Sequence, residues 1–464
     1  MLRMLEQYLG AEVFRRAIGE YLRDNAYANA ETTDLWDAIE ASSGQPTRRV
    51  MDSWIFQAGF PLVSVEVSGD GRLALSQRQF RYLPDEQPPT TLWQVPVMLR
   101  AKGGDGTVRE KVLLSEAAQT LELPGGLEWV VANEGGHGFY RVRYSSELLR
   151  RLTANVQENL SAIERFGLVS DTWASVLAGL SPLADFLDLA RLFQGENDRN
   201  VWTALLGALG YLNRAIEPNQ RPALQAFTRE LARPALGRLG WEPRPGESEL
   251  IGQLRGSLVG ALGTLGHDAE VQARTRELYG RYREDRTAVD PNLVAAMVNT
   301  VAYTGGRAEY DEFVQRYKQA PTPQEEQRFL FGLAGFLDRD LVLRTAEMAI
   351  TDEVRTQNAP YLVGSLMHNL VGGDLAWEFT KANWETMLAR FPENSIVRMC
   401  EGITALATPE LEADVQAFFA DHKVPAAGKT LDQHLERLHI AVVFKQREAA
   451  SLAAAFPPAG IGRM

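Results

Sequence analysis

The spacing of apolar residues changes twice along this chain of 464 residues, and these two changes constrain its fold more than any other feature. In residues 1–58 apolar side chains recur every three to four positions, which is the period of an amphipathic helix. From Gly59 apolar and polar residues alternate, as in a half-buried strand, and after Tyr144 the helical period returns. The pattern predicts a multidomain protein with a helical segment over 1–58, a small all-β sandwich over 59–145 and a large all-α domain over 146–464.

The first segment is expected to hold four helices. Thr32 or Thr33 is expected to cap the third helix, with Asp34 in its first turn, where the positive end of the helix dipole favours a carboxylate. Gly44 and Pro46 then break the chain before the fourth helix.

Turn residues divide the second segment into about seven short strands, a number and spacing typical of a β-sandwich. The first two strands are expected to form a hairpin around a turn at 69–71. The strands are expected near 63–67, 73–75, 92–99, 107–114, 120–123, 127–131 and 138–144.

The consecutive amphipathic helices of 146–464 are too many to surround one core, so we expect stacked helix pairs in a superhelix of the HEAT type. No strict repeat period is present, which predicts an irregular superhelix. Helix starts are well marked: Thr322 precedes a proline, and Glu325 is expected to close a capping box. Asp290 and Thr408, each followed by proline, repeat the pattern.

Charge, hydropathy and cysteine content exclude several classes of protein. Lys and Arg number 48 against 60 Asp and Glu, a net charge of −12 without a segregated basic face, so no nucleic-acid partner is expected. No apolar run approaches the roughly 18 residues that span a bilayer, so no membrane partner is expected. The single cysteine, Cys400, cannot form an intrachain disulfide and favours a reducing, cytoplasmic location.

Histidine, the usual residue of hydrolytic and metal chemistry, occurs six times, at scattered positions. His434 and His439 superficially resemble a His-Glu-x-x-His zinc motif, but a separation of five residues turns the two rings about 140° apart on a helix. They are therefore expected to be ordinary helix residues rather than a zinc pair. His137, in a glycine-rich stretch between two strands, is expected to belong to a turn rather than a phosphate-binding loop.

Other candidate groups also have structural interpretations. Cys400 is expected to be a small buried apolar residue rather than a nucleophile. Trp377, Phe379 and Trp384 are expected in the core, with a substrate-facing wall as the alternative. Glu325 and its neighbour are explained by the helix N-terminus. No catalytic, cofactor-binding or metal-ligating residue is assigned in this chain.

Short motifs in all three segments share their order and spacing with one known family. In chain order they are Asp34-Leu35-Trp36, Met51-Asp52-Ser53-Trp54, Gly59-Phe60-Pro61, Trp93-Gln94-Val95-Pro96-Val97, the segment from Gly138 to Tyr144, Gln357-Asn358 and Asn383-Trp384. The chain thereby resembles the gluzincin metallopeptidases of the aminopeptidase N and puromycin-sensitive aminopeptidase type. Its last segment is similar to the helical C-terminal domain of endoplasmic-reticulum aminopeptidases.

The resemblance implies that 1–58 are the last helices of a thermolysin-like catalytic domain. The family's zinc motif, its substrate-amine anchor and its catalytic tyrosine cannot be matched onto this sequence, so the resemblance places zinc in an N-terminal half that precedes Met1. It further implies that the helical domain is a lid and chamber wall over the zinc cleft. We therefore expect the C-terminal portion of a zinc aminopeptidase, inactive alone, whose partners are the catalytic half and peptide substrates.

Two alternatives remain open: a non-catalytic peptide- or protein-binding module derived from an aminopeptidase, and one half of a split enzyme. The first helices discriminate between them, because apolar faces made to pack on a catalytic core would be a liability in a free binding module. The side chains expected on those faces are Leu5, Leu9, Phe14, Trp36, Trp54 and Ile55. Close packing of this segment on the sandwich, with no apolar patch left over, would instead favour the binding module.

Overall fold

A computed structural model describes residues 1–68, 72–84, 90–123, 126–424 and 427–458. The chain divides into two compact units, Met1–Leu192 and Phe193–Met464. The first unit contains the initial helices, all the described strands and four further helices. The second unit is helical.

Four helices open the chain: α1 (Leu2–Leu9), α2 (Ala11–Asp24), α3 (Thr32–Ser43) and α4 (Thr47–Ile55). The expected cap of α3 was wrong, because Glu31 is the N-cap and both threonines lie inside the helix. Glu31 and Asp34 form a reciprocal capping box, in which the Asp34 carboxylate accepts the Glu31 N–H at 2.8 Å. Gly44 ends α3 in the left-handed conformation.

Seven strands follow in the part of the first unit that the structure describes, in agreement with the alternating pattern. They are β1 (Pro61–Val67), β2 (Leu73–Gln79), β3 (Val95–Gly103), β4 (Gly106–Leu114), β5 (Ala118–Leu121), β6 (Leu127–Val131) and β7 (Arg141–Tyr144). One sheet has the order β5-β2-β1-β7 and the other β4-β3-β6. β1 and β2 are antiparallel, with Val63 opposite Gln77, whereas β1 and β7 are parallel. The turn expected at 69–71 lies outside the described residues.

Strand β3 begins three residues later than expected because a side chain satisfies the main chain before it. The buried Gln77 accepts the Trp93 N–H at 2.9 Å and donates to the Trp93 carbonyl at 2.8 Å. Strand β7 also starts three residues late, since the Gly138 N–H is bound by the Asn133 side chain at 2.8 Å. In both places hydrogen bonds to a side chain replace the main-chain hydrogen bonds between neighbouring strands.

The two sheets share one apolar core, to which the first helices contribute. Val63 and Leu75 come from one sheet and Val97 from the other. Met4 of α1 and Trp54 of α4 are buried in the same cluster. The first helical segment is thus packed on the sheets.

Four helices complete the first unit: α5 (Ser146–Thr153), α6 (Val156–Asn159), α7 (Ala162–Leu177) and α8 (Leu183–Arg191). The helices of the second unit are α9 (Arg199–Ala215), α10 (Arg221–Leu239), α11 (Glu249–Gly263), α12 (Ala269–Glu284), α13 (Pro291–Thr304), α14 (Arg307–Lys318), α15 (Pro323–Gly332), α16 (Arg339–Ala349), α17 (Ala359–Met367), α18 (Gly373–Ala382), α19 (Trp384–Arg390), α20 (Glu393–Met399), α21 (Pro409–Asp421), α22 (Lys429–Arg447) and α23 (Ala449–Ala455). None of the described helices is long and apolar enough to cross a bilayer.

The first half of the second unit is built in two layers. Helices α9, α11, α13 and α15 contact one another in order, and α10, α12 and α14 pack against them as a second layer. Helix α22 does not follow this order of contacts between successive helices, because it packs against α9, the first helix of the second unit. The Lys445 ammonium lies 3.1 Å from the Glu217 carboxylate just beyond α9.

The predicted helix caps are confirmed at Asp290 and Thr408, whose side chains accept main-chain N–H groups of the first turn. Thr322 also caps its helix, but the expectation that Glu325 closes a capping box was wrong. The buried Glu325 carboxylate pairs instead with Arg286 at 3.1 Å, since a cation is a stronger partner than a neutral N–H.

Candidate functional site

The two histidines that resemble a zinc motif lie on α22 in different surroundings. His434 is buried, neither of its ring nitrogens has a hydrogen-bond partner, and burial lowers its pKa. The His439 Nδ1 lies 2.7 Å from a Glu412 carboxylate oxygen. The described residues hold no group of three or more His, Cys, Asp or Glu side chains positioned for a metal ion.

The structural interpretations of Cys400, Trp377, Trp384 and His137 are confirmed, whereas Phe379, also expected in the core, is only partly buried. Cys400 is buried, and the loss of solvation raises the pKa of its thiol to about 12, so it stays protonated at neutral pH. Trp377 and Trp384 are buried against Phe418, with ring centroids 5.2 and 5.3 Å away. His137 follows a short 3-10 turn, Glu134–Gly136, that contains two left-handed glycines.

A partly buried ionic cluster fastens β7 to α7, and its members come from distant parts of the first unit. Asp171 on α7 accepts a hydrogen bond from the Arg141 guanidinium at 2.9 Å and another from the Val142 N–H at 2.9 Å. Burial raises the pKa of Asp171 to about 6, although Arg141 and the main-chain N–H act in the opposite direction. Ionised Asp171 is therefore a costly charge that Arg141 and the Val142 N–H compensate only in part.

Glu164 makes the second contact of the junction. Its carboxylate accepts the N–H groups of Gly135 and Ser161 at 3.0 and 2.8 Å and lies 2.8 Å from the Arg100 guanidinium. Burial alone would raise the pKa of Glu164, but these hydrogen bonds and the charge of Arg100 lower it. A cavity of about 40 Å³ lies between Glu164 and Asp171. The junction positions α7 on the sheets.

Exposed large apolar side chains are concentrated at the start of the chain. Of eleven such side chains in the described residues, six lie within residues 1–56: Met1, Leu2, Leu22, Tyr27, Ile55 and Phe56. Phe56 is 72% exposed, and Phe139, 51% exposed, stacks edge-on against Trp54 nearby at 6.1 Å. We call Ile55, Phe56 and Phe139 the aromatic edge of the first unit. Ile55 and Phe56 directly follow Trp54 in the chain, and exposed apolar side chains grouped in one region are candidates for an interaction site.

The side chains that face outward are mostly not those expected from the helical period. Leu5, Trp36 and Trp54 are buried within the chain, so the expectation that they pack on a separate catalytic core was wrong for these three. Leu5 and Trp36 form a small core with Ile39 of α3, and Trp54 enters the sheet core. Of the six named residues Ile55 alone is exposed, and Leu9 and Phe14 are partly buried.

The two layers of the second unit each carry a groove. One, of about 460 Å³, lies on α9, α11 and α13 and is lined by Arg199, Asn292 and Asn299 among others. The other, of about 980 Å³, lies on α12 and α14 and includes Arg283 and Glu312, whose side chains pair at 3.2 Å. No sequence pattern indicated either groove, because their residues are spread over several helices.

Comparison with known proteins matches nearly the whole chain. The model of the ERAP1-like C-terminal domain matches residues 129–440, and that of the peptidase family M1 domain matches residues 1–54. Aminopeptidase M1 of Arabidopsis thaliana is 31% identical, over 95% of this chain and 52% of its own length. Aminopeptidase 2, mitochondrial, of Saccharomyces cerevisiae is 28% identical, over 94% of this chain and 46% of its own length. Glutamyl aminopeptidase of Rattus norvegicus is 27% identical, over 94% and 47%. The chain spans about half the length of the curated relatives it matches, and it aligns with their C-terminal half.

Proposed function

The chain belongs to the family of ERAP1-like C-terminal domains, and from this we propose that it acts as the C-terminal portion of a family M1 zinc aminopeptidase that removes N-terminal amino acids from peptides. In this proposal the helical second unit is a lid and chamber wall over the zinc cleft. The described residues do not fit a zinc site, since they offer no set of three ligands, so no step of the hydrolysis is assigned to them. Zinc and the catalytic groups belong to the catalytic portion, which is the partner of this chain.

The observation that carries the proposal is the apolar surface of the first helices. It lies in the segment that matches the M1 domain, residues 1–54, and on the two residues that follow, and Phe139, between β6 and β7, adjoins it through Trp54. Burial of a phenylalanine or isoleucine side chain is worth roughly 1.5–3 kcal/mol, so several such side chains can hold a second polypeptide portion in place. The aromatic edge is the surface that we assign to this contact.

The binding-module alternative has one observation in its favour. The first helices are packed on the sheets through Met4, Val50 and Trp54, as a free-standing module would require. The exposed apolar side chains that remain on these helices favour a portion of an enzyme, either continuous or split. A cytoplasmic location, with neither nucleic acid nor membrane as partner, belongs to the same proposal and is supported by the single buried cysteine.

Two measurements test the proposal. The purified chain is expected to retain no stoichiometric zinc and to release no amino acid from aminoacyl-anilide substrates. A hybrid, in which this chain replaces the matching half of Arabidopsis Aminopeptidase M1, is expected to hydrolyse the same substrates with bound zinc. Metal-dependent turnover by the chain alone would overturn the proposal, and so would a folded, zinc-loaded hybrid without activity. A matched hybrid with the same junction and the Arabidopsis sequence throughout is the control.

A further inference from the structure

The four-stranded sheet of the first unit has two faces, and only one of them belongs to the core that it shares with the other sheet. Val63 and Val65 of β1 are buried in that core. Because side chains alternate along a strand, Leu62 and Ser64 lie on the opposite face, which we call the outer face. Leu62 packs with Ala174 of α7, whereas Ser64 is only half-buried. Helix α7 therefore leaves part of the outer face open.

Two arginines lie on the outer face, one on each side of β1. Arg78 of β2 is the register partner of Leu62, and Arg143 of β7 is the register partner of Ser64. Neighbouring strands are about 4.8 Å apart, so both long side chains can extend over β1. Burial lowers the pKa of Arg78, and the positive charge of Arg143 lowers it further, as expected for two guanidinium groups close enough to repel each other.

The two positive charges are not neutralised within the described part of the chain. Among the described residues no carboxylate forms an ion pair with the guanidinium of Arg78 or Arg143. Arg141, two residues earlier on β7, is different, because its guanidinium pairs with Asp171 at 2.9 Å. Glu66 of β1 is exposed on the outer face, yet in the described structure it pairs with neither Arg78 nor Arg143. The charge of both arginines thus remains available for an anionic ligand.

Two serine hydroxyls lie beside the arginines on the outer face. Ser64 of β1 and Ser76 of β2 are register partners, and residues paired in this way have Cα atoms about 4.5–5.5 Å apart. Neither hydroxyl has a hydrogen-bond partner among the residues that the structure describes. Ser64 is also the register partner of Arg143, so donors from three adjacent strands surround one position above β1. The hydrogen-bonded strands fix the spacing of these donors.

We propose that the outer face binds the phosphate group of a small molecule between Arg78 and Arg143. Ser64 and Ser76 donate further hydrogen bonds to it. A guanidinium donates two parallel hydrogen bonds to an oxyanion, and a hydroxyl donates one. A phosphate group carries a charge of roughly −1.5 to −2 at neutral pH, so it offsets both arginines, whereas a carboxylate offsets one. The ligand is either free phosphate or a phosphate monoester.

The test is a calorimetric titration of the purified full chain at low ionic strength with inorganic phosphate, phenyl phosphate or acetate. Saturable binding is expected for at least one of the two phosphates, with a dissociation constant of about 1 mM or less. Acetate is expected to bind at least about tenfold more weakly, because it offsets only one of the two charges. Tighter binding of inorganic phosphate identifies the free ion as the ligand, and tighter binding of phenyl phosphate identifies a monoester. Equal binding of the two shows that the phosphate group makes all the contacts.

Variants place the binding on the outer face. R78Q and R143Q are each expected to weaken phosphate binding at least about tenfold. Without phosphate, both variants are expected to be at least as stable as wild type in thermal unfolding, because glutamine removes the repulsion between like charges. R150Q is the control, because it removes the same charge from an exposed position of α5 in the same unit, and it is expected to leave binding unchanged. S76A, also at an exposed position, replaces an arginine variant that unfolds, with an expected loss of several-fold.

Four results would overturn the proposal: no saturable binding of either phosphate, equal affinity for phosphate and acetate, an equal loss of binding in R150Q, or a loss of stability in both arginine variants without phosphate. The inference goes beyond the proposed function and does not depend on it, because the site lies within the first unit and needs neither zinc nor the catalytic portion. An active hybrid enzyme beside a chain that binds no phosphate overturns only this inference. An inactive hybrid beside a chain that binds phosphate overturns only the proposed function.

Discussion

Replacement of Asp171 by asparagine is expected to remove a pH dependence of stability that comes from the junction between β7 and α7. Burial raises the pKa of Asp171 to about 6 from the ordinary value of 3.8. The folded state therefore binds this proton more tightly than the unfolded state does, and stability falls as the pH rises from about 4 to about 6. Each pKa unit is worth about 1.4 kcal/mol, so a difference of about two units amounts to about 3 kcal/mol.

The asparagine side chain keeps the shape of Asp171 and an acceptor for the Val142 N–H, but it does not titrate. In urea unfolding between pH 4 and pH 7, the wild-type chain is expected to lose about 2 kcal/mol relative to D171N, because at pH 4 part of the full difference has already been lost. D188N is the control, because Asp188 is 77% exposed on α8 and its pair with Arg191 is a surface contact. D188N is expected to differ from wild type by less than about 1 kcal/mol at every pH.

A difference between wild type and D171N that does not change with pH would refute this reasoning. A free energy of unfolding of wild type that increases relative to that of D171N as the pH rises would refute it more directly. In that case the attraction between Arg141 and Asp171, whose groups are 2.9 Å apart, would outweigh the cost of burying the charge.

Helix packing and the aromatic edge give two further predictions. G256A is expected to destabilise the chain by about 1–3 kcal/mol, because its Cβ would overlap the Asn292 carbonyl oxygen. G207A has no atom within 4 Å of its Cβ and is expected to stabilise the chain by up to about 1 kcal/mol. Urea unfolding measures both changes, and equal effects of the two variants would contradict the close contact at Gly256. F56S is expected to leave the stability of the chain within about 0.5 kcal/mol of wild type. The same variant is expected to weaken, about tenfold by calorimetry, the association of the chain with the separately expressed N-terminal half of Arabidopsis Aminopeptidase M1. Y361S, at an exposed position of the second unit, is expected to leave this association unchanged, and an equal loss in both variants would count against the aromatic edge.

The order of helices and strands could be predicted from the sequence because it depends on local periodicity. The alternation that begins near Val63 and the helical spacing after Tyr144 both appear in the structure. Ends of elements were less predictable where a side chain binds the main chain. Gln77 delays β3 in this way, and it lies 16 residues before Trp93.

The partner of an apolar helix face could not be predicted from its period. Trp36 and Trp54 have the spacing of a buried helix face, but the spacing does not indicate whether this chain or another polypeptide packs over that face. The junction also escaped prediction, since Asp171 meets Arg141 only after β7 and α7 have packed.

The return of α22 to α9 has a consequence for synthesis on the ribosome. Lys445 is translated 228 residues after Glu217, the residue that it pairs with beside α9. At about 5–20 residues per second this interval lasts about 10–50 seconds. Helices α10 to α21 are made during that time without this contact, so the second unit completes its fold only after α22 has been made.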